Sequence, residues 1–219
     1  MLIGIPTRYG AGISLAGDFR DLTGLRASIS DLVADAPRQF RGAGEQVAAL
    51  TYELRKALDG FREPLQVGTP GAEDLTYLSV KSVWPVFLTQ IAILRQLAAY
   101  CPTTASVQAD LYRLEAVTQQ ALEAYEAQSG KMAWSWVKSG WHFPPDYHWQ
   151  FLEESALQYA TQAASGKKRF RLLPELLRNL SPQSPPYRAF AVRLKKMATE
   201  SGCSVDSLDC FDDWPDFKW

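Results

Sequence analysis

His142, Asp146 and His148 are the residues of this 219-residue chain whose types and spacing are best suited to chemistry. They fall within Trp141-His142-Phe143-Pro144-Pro145-Asp146-Tyr147-His148. Imidazole and carboxylate groups together supply either zinc ligands or a general base with its orienting partner. The spacing is not that of a metal-binding helix, in which two histidines lie one turn apart, and two prolines interrupt it. The expectation is therefore a loop corner, with Asp146 capping the following helix, each histidine bonded locally, and no metal or cofactor.

Other candidates for catalysis are weaker still. Asp18 and Asp21 fit the electrostatics of a helix start, and Glu73 and Asp74 fit a polar loop. Glu153 and Glu154 are helix neighbours whose side chains diverge by about 100°, so they do not converge on one reacting atom. Gly10-Ala11-Gly12 precedes a strand where a dinucleotide fingerprint would follow one. In Ser165-Gly166-Lys167-Lys168, a phosphate-binding loop would need glycine in place of Thr161 and a hydroxyl in place of Lys168. There is no Gly-x-Ser-x-Gly elbow, and Cys101 has no histidine context. No catalytic residue is predicted.

Aromatic and charged residues point to binding instead. Trp134, Trp136 and Trp141 occupy what reads as a loop; Trp134 and Trp136 face the same way if extended, and either lid the core or offer a surface to a partner. Between Lys167 and Lys196, nine basic residues, among them Arg188, Arg193, Lys195 and Lys196, stand against Glu175 alone. From Glu200 onward six acidic residues are offset only by Lys218, and Trp214, Phe217 and Trp219 are interleaved with them. The acidic aromatic tail can fold back on the basic helices, the basic face can bind an acidic partner or nucleic acid, or both can stay solvated.

The elements that must position these groups are legible in part. Gly12 to Ala16 reads as a strand and Asp18 as the N-cap of a helix whose apolar face is Leu22, Leu25, Ile29 and Leu32. Val47 to Val67 fits either a helix or, through Asp59-Gly60, a β-hairpin, and the hairpin is preferred. From Ser79 the pattern turns helical, with Ser82 as a cap, Pro85 in the first turn, and a stop at Cys101-Pro102. A second helix runs from Thr104 to Gly130, another from Asp146 to about Ala164, and a short one from Leu172 to Leu180. The last starts at Ser184-Pro185-Pro186, carries Tyr187, Phe190, Leu194 and Met197 as its stripe, and closes at Gly202.

The fold class expected is α+β: a small N-terminal sheet (strand, helix, β-hairpin; residues 1–70) packed on a larger, mostly helical portion (71–202), with an acidic aromatic tail (203–219). Cys101, Cys203 and Cys210 are too few and too irregular for a disulfide scaffold, so reduced thiols in a cytoplasm are expected. Met1 to Pro6 is not a signal peptide, and Trp84 to Leu94 is too short to span a membrane.

Gly12-Ile13-Ser14-Leu15-Ala16-Gly17-Asp18-Phe19-Arg20-Asp21-Leu22 resembles the opening of a family of uncharacterised bacterial proteins. Tyr52 to Ala57 with Asp59 to Glu63 resembles its second block, an arginine-containing strand and a glycine-turn hairpin. The resemblance covers residues 12–63 and implies no activity. The function expected is that of a non-catalytic protein-interaction or regulatory protein. The alternatives are nucleic-acid binding through 167–196 and a hydrolase or metal-dependent enzyme centred on His142, Asp146 and His148.

Overall fold

Antiparallel pairing organises the N-terminal part. The computed structural model describes residues 1–67, 75–139, 147–162, 164–205, 208 and 216–219. In it β1 (Ile3–Pro6) pairs with β2 (Gly12–Gly17), Gly4 opposite Leu15. On its other edge β2 pairs with β4 (Leu75–Val83), Leu15 opposite Val80, and β4 pairs in turn with β3 (Leu65–Val67). The sheet order is β1-β2-β4-β3. All six residues of β2 are buried, which explains why it is built from small and apolar residues with no polar face. At Gly12 a Cβ would lie 1.9 Å from the Ser82 carbonyl oxygen, so only glycine permits this approach of β2 to β4.

Asp18 hands the chain from sheet to helix. Its Oδ1 accepts from the Asp21 amide at 2.8 Å while Asp21 Oδ2 accepts from the Asp18 amide at 3.2 Å, a complete capping box. Helix α1 (Phe19–Ala34) then buries Leu22, Leu25, Ile29 and Leu32 as its periodicity requires. Each such side chain contributes about 1.5–3 kcal/mol of transfer free energy.

The preferred hairpin over Val47 to Val67 is not formed. Arg41–Leu58 is one helix, α2, with Val47, Leu50 and Leu54 in the core. Gly60, at φ +80°, ends it: the Gly60 amide donates to Ala57 and the Phe61 amide to the Lys56 carbonyl at 2.8 Å. That is a Schellman stop, which uses Asp-Gly as readily as a hairpin does. The hairpin lies further on, between β3 and β4. Ser79 to Val83, expected to open a helix, is strand, and Ser82 caps nothing; α3 (Trp84–Tyr100) starts from Val83 with Pro85 in its first turn.

Helix α3 is the central element, buried from Trp84 through Leu94 on nearly all sides, with α1, α2, α4, α5, α6 and α8 around it. After Cys101, Thr104 Oγ1 accepts from the Val107 amide at 3.2 Å and opens α4 (Ala105–Tyr125). Glu126 breaks the helix expected to reach Gly130 and, accepting from the Ser129 amide at 2.9 Å, starts α5 (Ala127–Lys138). The chain continues as α6 (His148–Thr161), α7 (Lys167–Phe170), α8 (Leu173–Asn179) and α9 (Pro185–Ser201). On α9 Tyr187, Phe190 and Leu194 are buried, but Met197 is exposed and Ala198 takes its place in the core. One hydrophobic cluster runs from Leu2 to Leu194.

Candidate functional site

Helix α5 settles the orientation of two tryptophans. Residues two apart on a helix diverge by about 200°, so Trp134 and Trp136 do not face the same way. Trp134 is 4% exposed and belongs to the core; Trp136 is half-buried at its edge. The tryptophan segment is thus helical through Lys138, while Trp141, His142, Asp146 and Trp214 lie outside the described residues.

His148 sits in the first turn of α6, behind Tyr147, which takes the left-handed conformation at φ 63°. It is 4% exposed, and burial pushes its imidazole down to about 3, so the ring is neutral. A general base needs reach to a substrate proton, which this position does not give. Among the described residues, no group of His, Cys, Asp and Glu is arranged to hold a metal ion. Burial also raises the Cys101 thiol, whose Sγ lies 3.5 Å from the Asp35 carbonyl oxygen and behaves as a structural group.

The basic run is divided by the fold. Arg169 is 3% exposed and donates through Nε to the Ala164 carbonyl and through Nη1 to the Lys218 carbonyl, both at 3.0 Å. Arg193 pairs with Glu154 of α6 and lies over the Phe190 ring. Arg188 donates through Nε to the Gln183 carbonyl at 3.1 Å, Lys195 lies over the Tyr147 ring, and Lys196 is 3.7 Å from Glu200. Lys167, Lys168, Arg171 and Arg178 are exposed. Phe217 and Trp219 pack with Val83, Val86, Ala156 and Ala160 in a second, small apolar cluster. The end of the tail therefore folds back on its own chain.

The arrangement that best resembles a binding site was not among the sequence candidates. The second half of α3, the first half of α4 and the end of α5 line a cleft of about 450 Å³. Its floor is Ala92, Leu111 and Val137, all buried. Arg95 of α3 and Glu115 of α4 form an ion pair beside it. Tyr100 and Tyr112, exposed by 60% and 66%, stand at its lips, Tyr100 braced on Phe40 with ring centroids 5.0 Å apart. At the other end of α5, Gly130 lies against α4, where a Cβ would lie 2.5 Å from the Leu122 carbonyl oxygen. Tyr112 left one trace in the sequence: it is an aromatic on the polar face of α4, off the Val107-Leu111-Leu114 stripe.

A second cleft, about 520 Å³, lies between α6, α8 and α9 and is more polar. The Arg193–Glu154 pair crosses it, and Gln158 Nε2 also donates to Glu154 at 3.4 Å. Two of its three charged lining residues, Arg193 and Glu154, are thus paired with each other, and Glu175 is the third.

The family model for a domain of unknown function (DUF6904) matches residues 2–219, well beyond the stretch from which a resemblance was read. The chain belongs to that family. No curated protein and no solved structure matches it. Membership thus assigns no activity. Among the described residues, no helix is long and apolar enough to cross a membrane.

Proposed function

We propose that this DUF6904 protein is a non-catalytic interaction protein and that it takes apolar side chains of another polypeptide into the cleft between α3, α4 and α5. The observation that carries this reading is the pair Tyr100 and Tyr112, exposed on either side of an apolar floor. Large amphipathic aromatics around a desolvated centre are what anchors a protein interface. A pocket of this size buries a few side chains. The Arg95–Glu115 pair neutralises itself, which favours an uncharged anchor over a small ionic substrate. Free thiols at Cys101 and Cys203 fit a reducing, cytoplasmic setting.

A nucleic-acid reading keeps one supporting observation, the exposure of Lys167, Lys168, Arg171 and Arg178. It lost two of its contributors, Arg169 and Arg193, to contacts within the chain. The hydrolase reading draws no support from His148, because that ring is enclosed.

Affinity capture from the native cell separates the readings. The bait is the wild-type chain, a Tyr100→Ala/Tyr112→Ala variant, and a variant with Lys167, Lys168, Arg171 and Arg178 changed to glutamine. The expected outcome is a protein whose capture falls at least tenfold with the tyrosine variant, survives the glutamine variant, and changes little with salt. Nucleic acid that is lost with the glutamine variant and with rising salt would overturn it.

A further inference from the structure

We infer that the groove formed by Val83, Val86, Ala156 and Ala160 is a recognition site for an extended peptide carrying aromatic residues two positions apart, and that this chain's own Phe217-Lys218-Trp219 fills it. In an extended segment residues n and n+2 point to the same side. Phe217 and Trp219 do so: their ring centroids are 4.7 Å apart, and both rings pack on the small cluster of Val83, Ala156 and Ala160, which Val86 joins to the main core. Lys218 between them is exposed, with its Nζ 5.8 Å from the Tyr9 ring centroid.

The groove reads the segment's backbone as well as its rings. The Tyr9 amide donates to the Trp219 main-chain oxygen at 3.0 Å, and Arg169 Nη1 donates to the Lys218 carbonyl at 3.0 Å. Both donors are fixed from behind. The Gly166 amide holds the Tyr9 carbonyl at 2.8 Å, the Tyr125 hydroxyl holds the Arg8 carbonyl at 3.1 Å, and the Tyr159 hydroxyl holds the Gly10 carbonyl at 2.7 Å. Arg169 is anchored through Nε on the Ala164 carbonyl. Arg169 is more than nine-tenths buried, and both of its hydrogen bonds within the described residues go to carbonyls. A buried guanidinium without its acceptors is costly, so an empty groove carries a donor that a peptide carbonyl satisfies. That separates this arrangement from ordinary core packing: half-buried rings lie on a hydrogen-bonded platform whose polar donors point at the segment's main chain.

The test uses the full chain with Phe217→Ala/Trp219→Ala and a labelled peptide spanning residues 208–219. Fluorescence anisotropy should show saturable one-to-one binding to this variant. Binding to the wild-type chain should be at least about 100-fold weaker, because its tethered segment competes at millimolar effective concentration. A peptide with both aromatics changed to alanine should not bind. No binding to the variant, or equal binding to variant and wild type, overturns the inference. If the double variant loses its helical circular dichroism, Trp219→Ala alone decides by amide exchange. Tyr9 should exchange at least tenfold faster than in wild type with Gly166 unchanged, and an unchanged Tyr9 overturns the inference.

Discussion

Arg169 Nη1 donates to the main-chain carbonyl of Lys218 at 3.0 Å, joining two positions 49 residues apart. A full positive charge is thereby held in the interior by neutral carbonyl dipoles. Arg169→Met keeps the length of the side chain and its apolar stem but deletes both hydrogen bonds, leaving the Ala164 and Lys218 carbonyls to find other partners. Each hydrogen bond from a charged group contributes about 1.5–3 kcal/mol, and water can reach the part-buried carbonyls, so the variant should lose roughly 2–4 kcal/mol. Urea denaturation should show the loss as a lower midpoint at unchanged slope. A loss below about 1 kcal/mol would mean that the guanidinium contributes no net stability.

Gly10 belongs to the same junction and gives a controlled comparison with Gly60. Both have positive φ, +72° and +80°. At Gly60 an added Cβ meets nothing within 4 Å, so Gly60→Ala should cost only the left-handed strain, about 1–2 kcal/mol. At Gly10 the same atom would lie 2.7 Å from the Gly166 carbonyl oxygen and 3.0 Å from the Tyr125 hydroxyl. Gly10→Ala should therefore cost at least about twice as much, in thermal or urea unfolding. Equal costs at the two sites would show that the junction relaxes freely.

What the sequence made legible follows from how local each signal is. The caps at Asp18, Thr104 and Ser184 were readable because the bonded groups are three residues apart, and Gly202 because a left-handed stop needs glycine. Asp59-Gly60 misled because the same dipeptide serves a hairpin turn and a Schellman stop, and only α2's packing against α1 and α3 decides between them. Ser82 misled in the same way, since a serine before Pro85 looks like a cap while its backbone pairs with Ile13 of β2. Trp134 and Trp136 carry a period of two within a helix. Nothing local marks Arg169 as the buried member of Lys167-Lys168-Arg169, because a basic run reads as uniformly solvated. The α3–α4–α5 cleft was invisible for the strongest reason: it exists only where three helices meet.

Thr89 offers a stabilising change. It is fully buried in α3, and its Oγ1 has no hydrogen-bond partner among the described residues. The hydroxyl's desolvation is thus uncompensated among the described residues, and Thr89→Val replaces it with a methyl group of similar shape. Removing an unsatisfied buried hydroxyl should raise stability by about 1 kcal/mol, seen as a higher urea midpoint. A destabilised variant would show that the hydroxyl bonds to an internal water.

His148 sets an acid limit on the fold. Its ring is held neutral, with its pKa lowered from 6.5 to about 3 by burial. Between those values the unfolded chain binds a proton that the folded chain does not. Stability from this group is therefore complete above about pH 6.5 and falls as pH drops towards 3, by about 1.4 kcal/mol per unit. Carboxylates also titrate in the lower part of this window, so the informative quantity is the difference between wild type and His148→Gln. Urea denaturation at intervals from pH 4 to 7 should show the variant's stability varying less steeply than wild type's by about that slope. Parallel curves would mean that His148 protonates in the folded state and that α6 opens enough at its first turn to admit the charge.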